Sequence, residues 1–461
     1  MPSSVYDSAI FRDWFSSQPM REIFSDEGLV ACYVETEVAL AKVQGALGVI
    51  PAPTARDIAA NCDATKLDLA KLKTETDLVG YPIVGIVHQL QKQCGEAGRY
   101  LHWGATTQDI MDTATVLQVR RALAVVEQEL ATLAGHLEGL AHAHRDTVMA
   151  GRTHLQQALP TTFGLKAAIW LSMIQRHQQR LTELRPRVLM LQFGGAAGTL
   201  ASLGDKGLAV HDAMAKELGL SAAPAPWHVA RDGIAEAVSF LALVTGSLGK
   251  MATDVMLMMQ TEVGEVYEPF MPGRGSSSTM PQKRNPISSE FIFAAARAVR
   301  QDVGLALDSL AGADHERATG PWQLEWIAVP RAFLNAGAAL HHANFLMSGL
   351  IVEPDAMRRN LDATGGLIVA EAVMMALAEK IGRGPAHDCV YGACRKAIEK
   401  KTTLLAQLEV MPEVTAALDR SALVRLVDPA NYLGSAHAMI DRVLDRAVVS
   451  AANDDERPER D

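Results

Sequence analysis

Residues 275–286, GSSSTMPQKRNP, place several chemically capable side chains in a glycine- and serine-rich stretch. A serine hydroxyl can act as a base when backbone donors and a nearby cation stabilise its alkoxide. A mobile Gly-Ser loop can deliver such a serine when it closes over a substrate. Lys283 and Asn285 add an ammonium group and an amide, both of which bind carboxylate oxygens. The segment therefore predicts proton transfer beside a bound carboxylate.

Two earlier segments, HWGATTQDIMDTA at 102–114 and GRTHLQQALPTTFG at 151–164, carry polar side chains suited to the same chemistry. Removing a proton α to a carboxylate leaves a dianionic aci-carboxylate, so the site needs several fixed donors and one base. Thr106, Thr107 and Gln156 can supply neutral hydrogen bonds. His154 can donate to a leaving group or a carboxylate near neutral pH, although by residue type alone a structural histidine is the commoner case.

In this order, the three segments resemble the signature regions of the fumarase/aspartase superfamily. Further similarity, nearly end to end, is to bacterial 3-carboxy-cis,cis-muconate cycloisomerases within it. The resemblance implies a central domain of five long helices that packs into a twenty-helix tetramer core, with active sites built by three subunits. The segments that carry the further similarity are MREIFSD at 20–26, LQFGGAAGTLASLG at 191–204, PWHVARD at 226–232, MQTEVGEVYEP at 259–269 and DPANYLG at 428–434.

The resemblance also implies roles for individual residues. In the family the first serine of a Ser-Ser-x-Met core is the catalytic one, which here is Ser277. Ser276 stands where the family usually has glycine, so the choice between the two serines stays open. His154 is the second catalytic candidate, and no cofactor or metal is implied. The implied substrate-binding residues are Thr106, Thr107, Thr153, Gln156, Lys283, Asn285 and Arg317.

Three departures from subfamily patterns bear on the substrate. Adenylosuccinate lyases have a histidine at the position of His154, whereas cycloisomerases often carry tryptophan there. Residues 77–87 contain no histidine, whereas adenylosuccinate lyases carry their second catalytic histidine in this stretch. Trp322 and Trp326 lie in a stretch, 314–326, that replaces a Ser-His-Ser-Ser segment used to hold a nucleotide phosphate. His154 thus points toward the adenylosuccinate lyases, whereas the last two departures favour a small polycarboxylate over a nucleotide.

Three hypotheses for function follow. The first is a cycloisomerase in which one carboxylate of a muconate-type tricarboxylate adds across a double bond, with Ser277 and His154 sharing acid and base work. The second is a carbon–nitrogen lyase that releases fumarate from an amino- or imino-succinate compound, which His154 supports. The third is an inactive structural homologue, against which the intact serine, lysine, asparagine and histidine argue.

The elements that must position these residues are long helices. Apolar residues recur every three or four positions over 113–144 and 238–259, as on one stripe of a helix. Pro160 predicts a helix start for the run 161–184, and Pro330 and Pro354 bracket the run 331–350. The glycine-rich stretches at 193–198 and 271–278 predict loops between helices. The fold class predicted is all-α, with apolar stripes that close an oligomer interface.

Domain limits follow from turn-forming residues and composition. We predict an N-terminal helical domain at 1–111, a central long-helix bundle at 112–353, a C-terminal helical domain at 354–452 and a disordered tail at 453–461. Glu262 and Glu265 receive no role, because a solvated helix end explains them equally well.

Composition excludes several classes of function. The 461 residues carry a net charge of −10 with dispersed basic residues, which argues against a nucleic-acid partner. Five cysteines without a CxxC pair predict reduced structural thiols. Neither a secretory leader nor an uninterrupted membrane-spanning stretch is expected, so a cytoplasmic location is predicted. The expected partners are a small polycarboxylate substrate and three further copies of this chain in a homotetramer.

Overall fold

The structure, a computed structural model, describes the backbone of residues 4–455 and the side chains of residues 4–445. The described chain is mainly helical, which confirms the all-α prediction. It divides into two compact units. Unit 1 comprises the residues up to Ala131, His177–Gly249 and Phe291–His342, and unit 2 comprises Thr132–Arg176, Lys250–Glu290 and the residues from Ala343 on. The domain limits proposed from the sequence stay predictions.

Seven helices precede the first strand. The α3 helix begins where the Ser25 hydroxyl accepts the backbone N–H of Gly28, as an N-cap serine does. These helices are α1 (Arg12–Phe15), α2 (Gln18–Ile23), α3 (Asp26–Ala46), α4 (Ala52–Asn61), α5 (Leu69–Val79), α6 (Ile83–Cys94) and α7 (Thr107–Ala143). Short 3-10 turns lie at Ala64–Lys66 and Gly95–Tyr100.

The middle of the chain contains a hairpin and five more long or medium helices. The hairpin is formed by β1 (Val148–Thr153) and β2 (Gln156–Thr162). The helices are α8 (Phe163–Val188), α9 (Gly207–Leu218), α10 (Asp232–Met258), α11 (Ile287–Gly312) and α12 (Pro321–Ser348), with a 3-10 turn at Ala201–Lys206. A second, two-residue ladder pairs β3 (Val266–Tyr267) with β4 (Ile351–Val352).

Helices of 4 to 20 residues fill the C-terminal part. They are α13 (Pro354–Asp362), α14 (Ala370–Ile381), α15 (Arg383–Lys400), α16 (Leu404–Leu408), α17 (Pro412–Thr415), α18 (Arg420–Leu426) and α19 (Ala436–Asp455), with 3-10 turns at Leu367–Val369 and Pro429–Asn431. Of the tail predicted at 453–461, residues 456–461 lie outside the described residues.

The two long helices predicted from apolar spacing are confirmed as α7 and α10. Their stripes face the core: Val119 and Leu123 of α7 are fully buried, as are Leu241 and Val244 of α10. The glycine-rich stretches at 193–198 and 271–278 lie between helices, as predicted. Helix α10 is long and apolar enough to cross a membrane by composition, yet 61% of its most apolar window is buried inside the protein, as in a core helix.

Two proline predictions are wrong. Pro160 lies inside strand β2, and helix α8 begins three residues later at Phe163. Pro330 lies within α12, which begins nine residues earlier at Pro321. Pro354, in contrast, does begin α13. A proline without a backbone N–H fits a strand edge as well as a helix start, so its presence alone does not choose between them.

Candidate active site

The N-terminus of α7 is joined to the glycine-rich loop 193–198 by one buried carboxylate in unit 1. Asp109 is fully buried and accepts the backbone N–H groups of Gly194 and Gly195, each at 2.9 Å. It also accepts the N–H of Thr106 at 3.0 Å, which caps the helix. His228 Nε2 lies 2.8 Å from the same carboxylate. Sequence reasoning did not identify Asp109 and His228, although both lie in the quoted segments.

Gly194 and Gly195 are required by this close approach. A Cβ on Gly194 would lie 2.8 Å from Pro226 and 3.0 Å from the His228 ring. Gly195 has φ +70°, a left-handed conformation that favours glycine. The loop can therefore offer its amides to Asp109 only with glycine at these positions.

Arg317 reaches the same part of unit 1. One guanidinium nitrogen donates to Oε1 of Gln108 at 3.1 Å, and the other donates to the carbonyl of Ala196 at 2.7 Å. The hydroxyls of Thr106 and Thr107, beside Gln108 in sequence, form no hydrogen bond within residues 4–445. Three predicted substrate-binding residues, Thr106, Thr107 and Arg317, thus gather around one helix N-terminus with donors available for an anion.

Gln108 is held in one orientation by a buried ionic cluster in unit 1. Its amide nitrogen donates to Asp112 and to the carbonyl of His228, so its oxygen faces Arg317. Asp112 also accepts from Arg231, which is 2% exposed and pairs with Glu325 as well. Two carboxylates close to the Arg231 guanidinium outweigh the effect of burial and raise its pKa. The cluster therefore fixes the amide that supports Arg317.

An aromatic group lies beside this cluster. Trp322 donates its indole N–H to Asp112 at 2.9 Å and stacks on Tyr81 with ring centroids 5.8 Å apart. Trp326 packs edge-on against Trp322 at 5.0 Å. These bulky, largely apolar rings fill space in the part of unit 1 that holds Arg317.

Thr153, His154 and Gln156 form the tip of the β1–β2 hairpin in unit 2. Thr153 pairs with Gln156 across a two-residue turn, His154–Leu155, and all four residues are exposed. Both turn residues have positive φ, 49° for His154 and 63° for Leu155. Such a turn matches the twist of a hairpin but normally uses Asn-Gly or Gly-Gly. The backbone strain therefore lies in the turn that carries the predicted catalytic histidine.

An ion pair between Arg152 and Glu265 fixes the hairpin directly behind its tip. Arg152 donates through both terminal nitrogens to Glu265, at 2.8 and 2.6 Å. The Glu265 side chain is fully buried, and it also accepts from Asn360 of α13 at 2.8 Å. Ala150 of β1 packs in an apolar cluster with Leu361. The exposed tip thus adjoins strand residues that are held by contacts with the rest of unit 2.

Ser277, Lys283 and Asn285 lie in the loop between β3 and α11, also in unit 2. Ser277 Oγ accepts the backbone N–H of Met280 at 3.1 Å and that of Thr279 at 3.3 Å. Ser276 instead donates its hydroxyl to the carbonyl of Gly273 at 2.9 Å. The two serines therefore have different environments: backbone donors surround only the Ser277 oxygen.

The ends of this loop are pinned together. Asn285 donates its backbone N–H and its side-chain amide to the carbonyl of Gly275, at 2.9 and 3.1 Å. Gly275 has φ +68°, and a Cβ there would lie 2.7 Å from the Asn285 carbonyl. The buried Glu268 caps the start of α11 by accepting from Ser289. Lys283 is exposed, and its ammonium forms no ion pair in the described part of the chain.

The structure therefore places the nine predicted site residues in three groups. Unit 1 holds Thr106, Thr107 and Arg317, and unit 2 holds the hairpin tip and the 275–286 loop. Within residues 4–445 no hydrogen bond joins the side chains of the hairpin tip to the loop. Each group presents hydrogen-bond donors, and the loop adds the Ser277 hydroxyl, whose oxygen accepts two backbone N–H groups.

Comparison with known proteins identifies relatives along nearly the whole chain. A lyase family profile matches residues 15–300, and a profile described as the adenylosuccinate lyase C-terminus matches residues 366–443. Trans-aconitate decarboxylase 1 of Mycosarcoma maydis is 52% identical, covering 97% of this chain and 90% of its own. The 3-carboxy-cis,cis-muconate cycloisomerase of Pseudomonas aeruginosa is 46% identical, covering 96% and 97%.

The fold has a similarly close match among solved structures. The crystal structure of 3-carboxy-cis,cis-muconate lactonizing enzyme from Pseudomonas putida superposes with a TM-score of 0.92 at 42% identity, covering 96% of this chain and all of that one. Together with the signature segments, these similarities show that the chain is an enzyme of the fumarase/aspartase superfamily of lyases.

Proposed function

We propose that this enzyme acts on a small polycarboxylate by moving a proton at the carbon α to a carboxylate while a β C–O bond is made or broken. The reaction we favour is that of a 3-carboxy-cis,cis-muconate cycloisomerase. In the forward direction one carboxylate oxygen bonds to an alkene carbon, and the neighbouring carbon receives a proton, so a lactone forms and no atom leaves. The similarity to cycloisomerases over nearly the whole chain supports this choice.

The observation that carries the proposal is the environment of Ser277. Two backbone N–H groups point at its oxygen, in a loop that also presents the Lys283 ammonium and the Asn285 amide. Such donors stabilise an alkoxide, and the alkoxide is the form of serine that can remove a proton from carbon. Ser276, whose hydroxyl is used as a donor to a carbonyl, lacks these contacts. We therefore assign the proton transfer at carbon to Ser277, which gives the proton in lactone formation and, as the alkoxide, removes it in the reverse elimination. His154 is assigned as its partner in acid and base work.

The remaining predicted residues would bind carboxylate groups. We assign Thr106, Thr107 and Arg317 to one anionic group, because they cluster at the N-terminus of α7, where unpaired N–H groups attract anions. Thr153, Gln156, Lys283 and Asn285 are assigned to the group next to the reacting carbon. Such donors also stabilise the aci-carboxylate, which carries more negative charge than the substrate carboxylate from which it forms.

We further propose that the active site is completed in a cytoplasmic homotetramer. The long helices expose large apolar side chains that a monomer would leave in water, such as Ile169 of α8 at 52%, Leu243 of α10 at 53% and Ile327 of α12 at 54%. Faces of this kind on long helices are typical of subunit interfaces. The exposed hairpin tip would then reach residues of a neighbouring copy.

A second candidate is a carbon–nitrogen lyase that releases fumarate. His154 favours it, because an imidazole can protonate a leaving amine, and the match of residues 366–443 to the adenylosuccinate lyase C-terminus is consistent with it. The 52% identity to a trans-aconitate decarboxylase adds decarboxylation of a tricarboxylate to the reactions that need testing.

A substrate panel tests the proposal. Purified protein is incubated with 3-carboxy-cis,cis-muconate, with trans-aconitate, and with fumarate plus amines, while alkene absorbance and carbon dioxide release are followed. We expect lactone formation from carboxymuconate, and in Ser277→Ala a rate loss of roughly 10²- to 10⁴-fold. Ser276→Ala is the matched control and should keep most of the rate. Undiminished turnover in Ser277→Ala, or turnover of no polycarboxylate at all, would refute the proposal.

A further inference from the structure

A cavity of about 320 Å³ lies beside the hairpin in unit 2. It is lined by residues 151–153 of β1, by residues 158–161 of β2, and by Ile169 and Trp170 of α8. Two lysines, Lys166 and Lys250, also line it. None of these residues except Thr153 belongs to the site assigned so far, yet the cavity begins directly beside the predicted catalytic hairpin tip.

Lys166 is the unusual member of this lining. It lies in the first turn of α8 and is half-buried. No carboxylate lies within ion-pair distance of its ammonium, and it forms no hydrogen bond, among residues 4–445. Burial lowers the pKa of Lys166, and the nearby Asp254 only partly offsets that effect. A charged group in this position lacks a counterion that would make its burial favourable.

The other charges around the cavity are already paired. Lys250 forms an ion pair with Asp254, and the same carboxylate oxygen accepts the indole N–H of Trp170 at 3.1 Å. Arg152 is engaged by Glu265 through two hydrogen bonds. These pairs are neutral as units, so the excess positive charge in the cavity belongs to Lys166. The cavity thus has the size and the charge to receive a carboxylate group.

We propose that Lys166 binds a carboxylate of the substrate in this cavity, making it a specificity-determining residue for tricarboxylates over dicarboxylates. Thr153, which lines the cavity and belongs to the hairpin tip, would join this pocket to the reacting centre. The inference rests on the proposed function, because it adds a binding position for the substrate class named there. Lys166 would thus join the substrate-binding residues that were assigned from the signature segments.

A pair of unreactive ligands tests the pocket directly. Tricarballylate has three carboxylates, and glutarate has the same carbon chain without the central one. Calorimetric titration should show that wild-type protein binds tricarballylate at least about 10-fold more tightly than glutarate, since one charge-assisted contact has roughly this effect. Lys166→Gln should lose about 10- to 100-fold in tricarballylate affinity and change little toward glutarate. Lys396→Gln, which removes an exposed lysine of α15, is the charge-matched control.

Further measurements separate the alternatives. Equal losses for both ligands, or a Lys166→Gln protein with altered sedimentation and unfolding but wild-type tricarballylate affinity, would make Lys166 structural and overturn the inference. Phosphate binding that requires Lys166 while tricarballylate binding does not would identify a free-anion site, which also overturns it. Lys166→Arg should restore part of the preference for tricarballylate. Wild-type turnover of a polycarboxylate with unchanged ligand preference in Lys166→Gln refutes only this inference, whereas a wild type without any such turnover refutes the proposed function.

Discussion

The Nε2 atom of His228 lies 2.8 Å from Oδ1 of Asp109, and both side chains are buried in unit 1. The same carboxylate accepts two backbone amides of the loop at 193–198 and caps α7. One acidic side chain therefore holds together the segment that carries Thr106 and the loop whose carbonyl at Ala196 accepts from Arg317. The geometry of this part of the candidate site depends on Asp109.

Asp109→Asn is expected to lower the free energy of unfolding by about 3 kcal/mol, since it removes the charge from a buried, fully hydrogen-bonded pair and leaves donors facing an amide nitrogen. Urea unfolding followed by circular dichroism measures this change. Asp212→Asn is the control, because Asp212 also contacts a histidine but is 71% exposed, and it should change stability by less than about 0.5 kcal/mol. Similar losses in the two variants would contradict the role given to Asp109.

Glu265→Gln should weaken the anchoring of the hairpin next to its tip, because a neutral amide cannot accept both Arg152 hydrogen bonds and the bond from Asn360 with the same strength. We expect a loss of roughly 3 kcal/mol in stability and a fall in kcat larger than the change in KM, since His154 is then less well oriented. Hydrogen exchange of the amides at 148–162 should accelerate.

Glu262→Gln provides the control for the Glu265 variant. Glu262 is exposed and lies three residues earlier in the same segment. Its substitution should leave hairpin exchange and kcat near their wild-type values. If both variants behave alike, the effect comes from the segment's net charge and not from the Arg152 contact.

Local signals explain why the long helices were predictable and the hairpin was not. Residues such as Val119 and Leu123 repeat with helical spacing, and they are buried. The hairpin turn at His154–Leu155 lacks the glycine or asparagine that usually marks such a turn, so its positive φ angles leave no trace in the sequence. The tertiary contact between the adjoining Arg152 and Glu265, which Asn360 also contacts, supplies what local preference does not.

Site residues could be predicted only where the residues that act together lie in one contiguous motif. Ser277 and Lys283 lie in one segment, which forms the loop between β3 and α11. Asp109 contacts the loop at 193–198 and His228, which are 85 to 119 residues away. No spacing rule relates such distant positions. For the same reason Lys166, in a segment that reads as ordinary helix, became a candidate only once the cavity was visible.

Gln108→Met is expected to raise KM roughly 10-fold while changing kcat less, because Arg317 loses the acceptor that fixes its guanidinium. Steady-state kinetics with the substrate identified in the panel measures the effect. Gln118→Met is the matched control on the same helix: its amide donates to the carbonyl of Ile23, away from Arg317. That variant should lose stability without the rise in KM, and an equal rise would argue against positioning of Arg317.

Because of the ion pair between His102 and Glu37, the stability of unit 1 depends on pH with a known sign. Burial acts to lower the pKa of His102, but Glu37, 2.6 Å away, outweighs it, and the net shift is upward. A histidine whose folded pKa exceeds its unfolded value of about 6.5 contributes its full stabilisation below that pH. The contribution is lost as pH rises through the folded pKa.

The stability difference between wild type and His102→Gln should therefore be largest in mildly acidic buffer and shrink at alkaline pH. Urea unfolding of both proteins from about pH 5.5 to pH 9 measures it, a range that brackets the reference value for histidine. His136→Gln on α7 serves as the control, since His136 has no ion pair in the described part of the chain. A difference that is constant or grows with pH would show that Glu37 does not stabilise the charged imidazole.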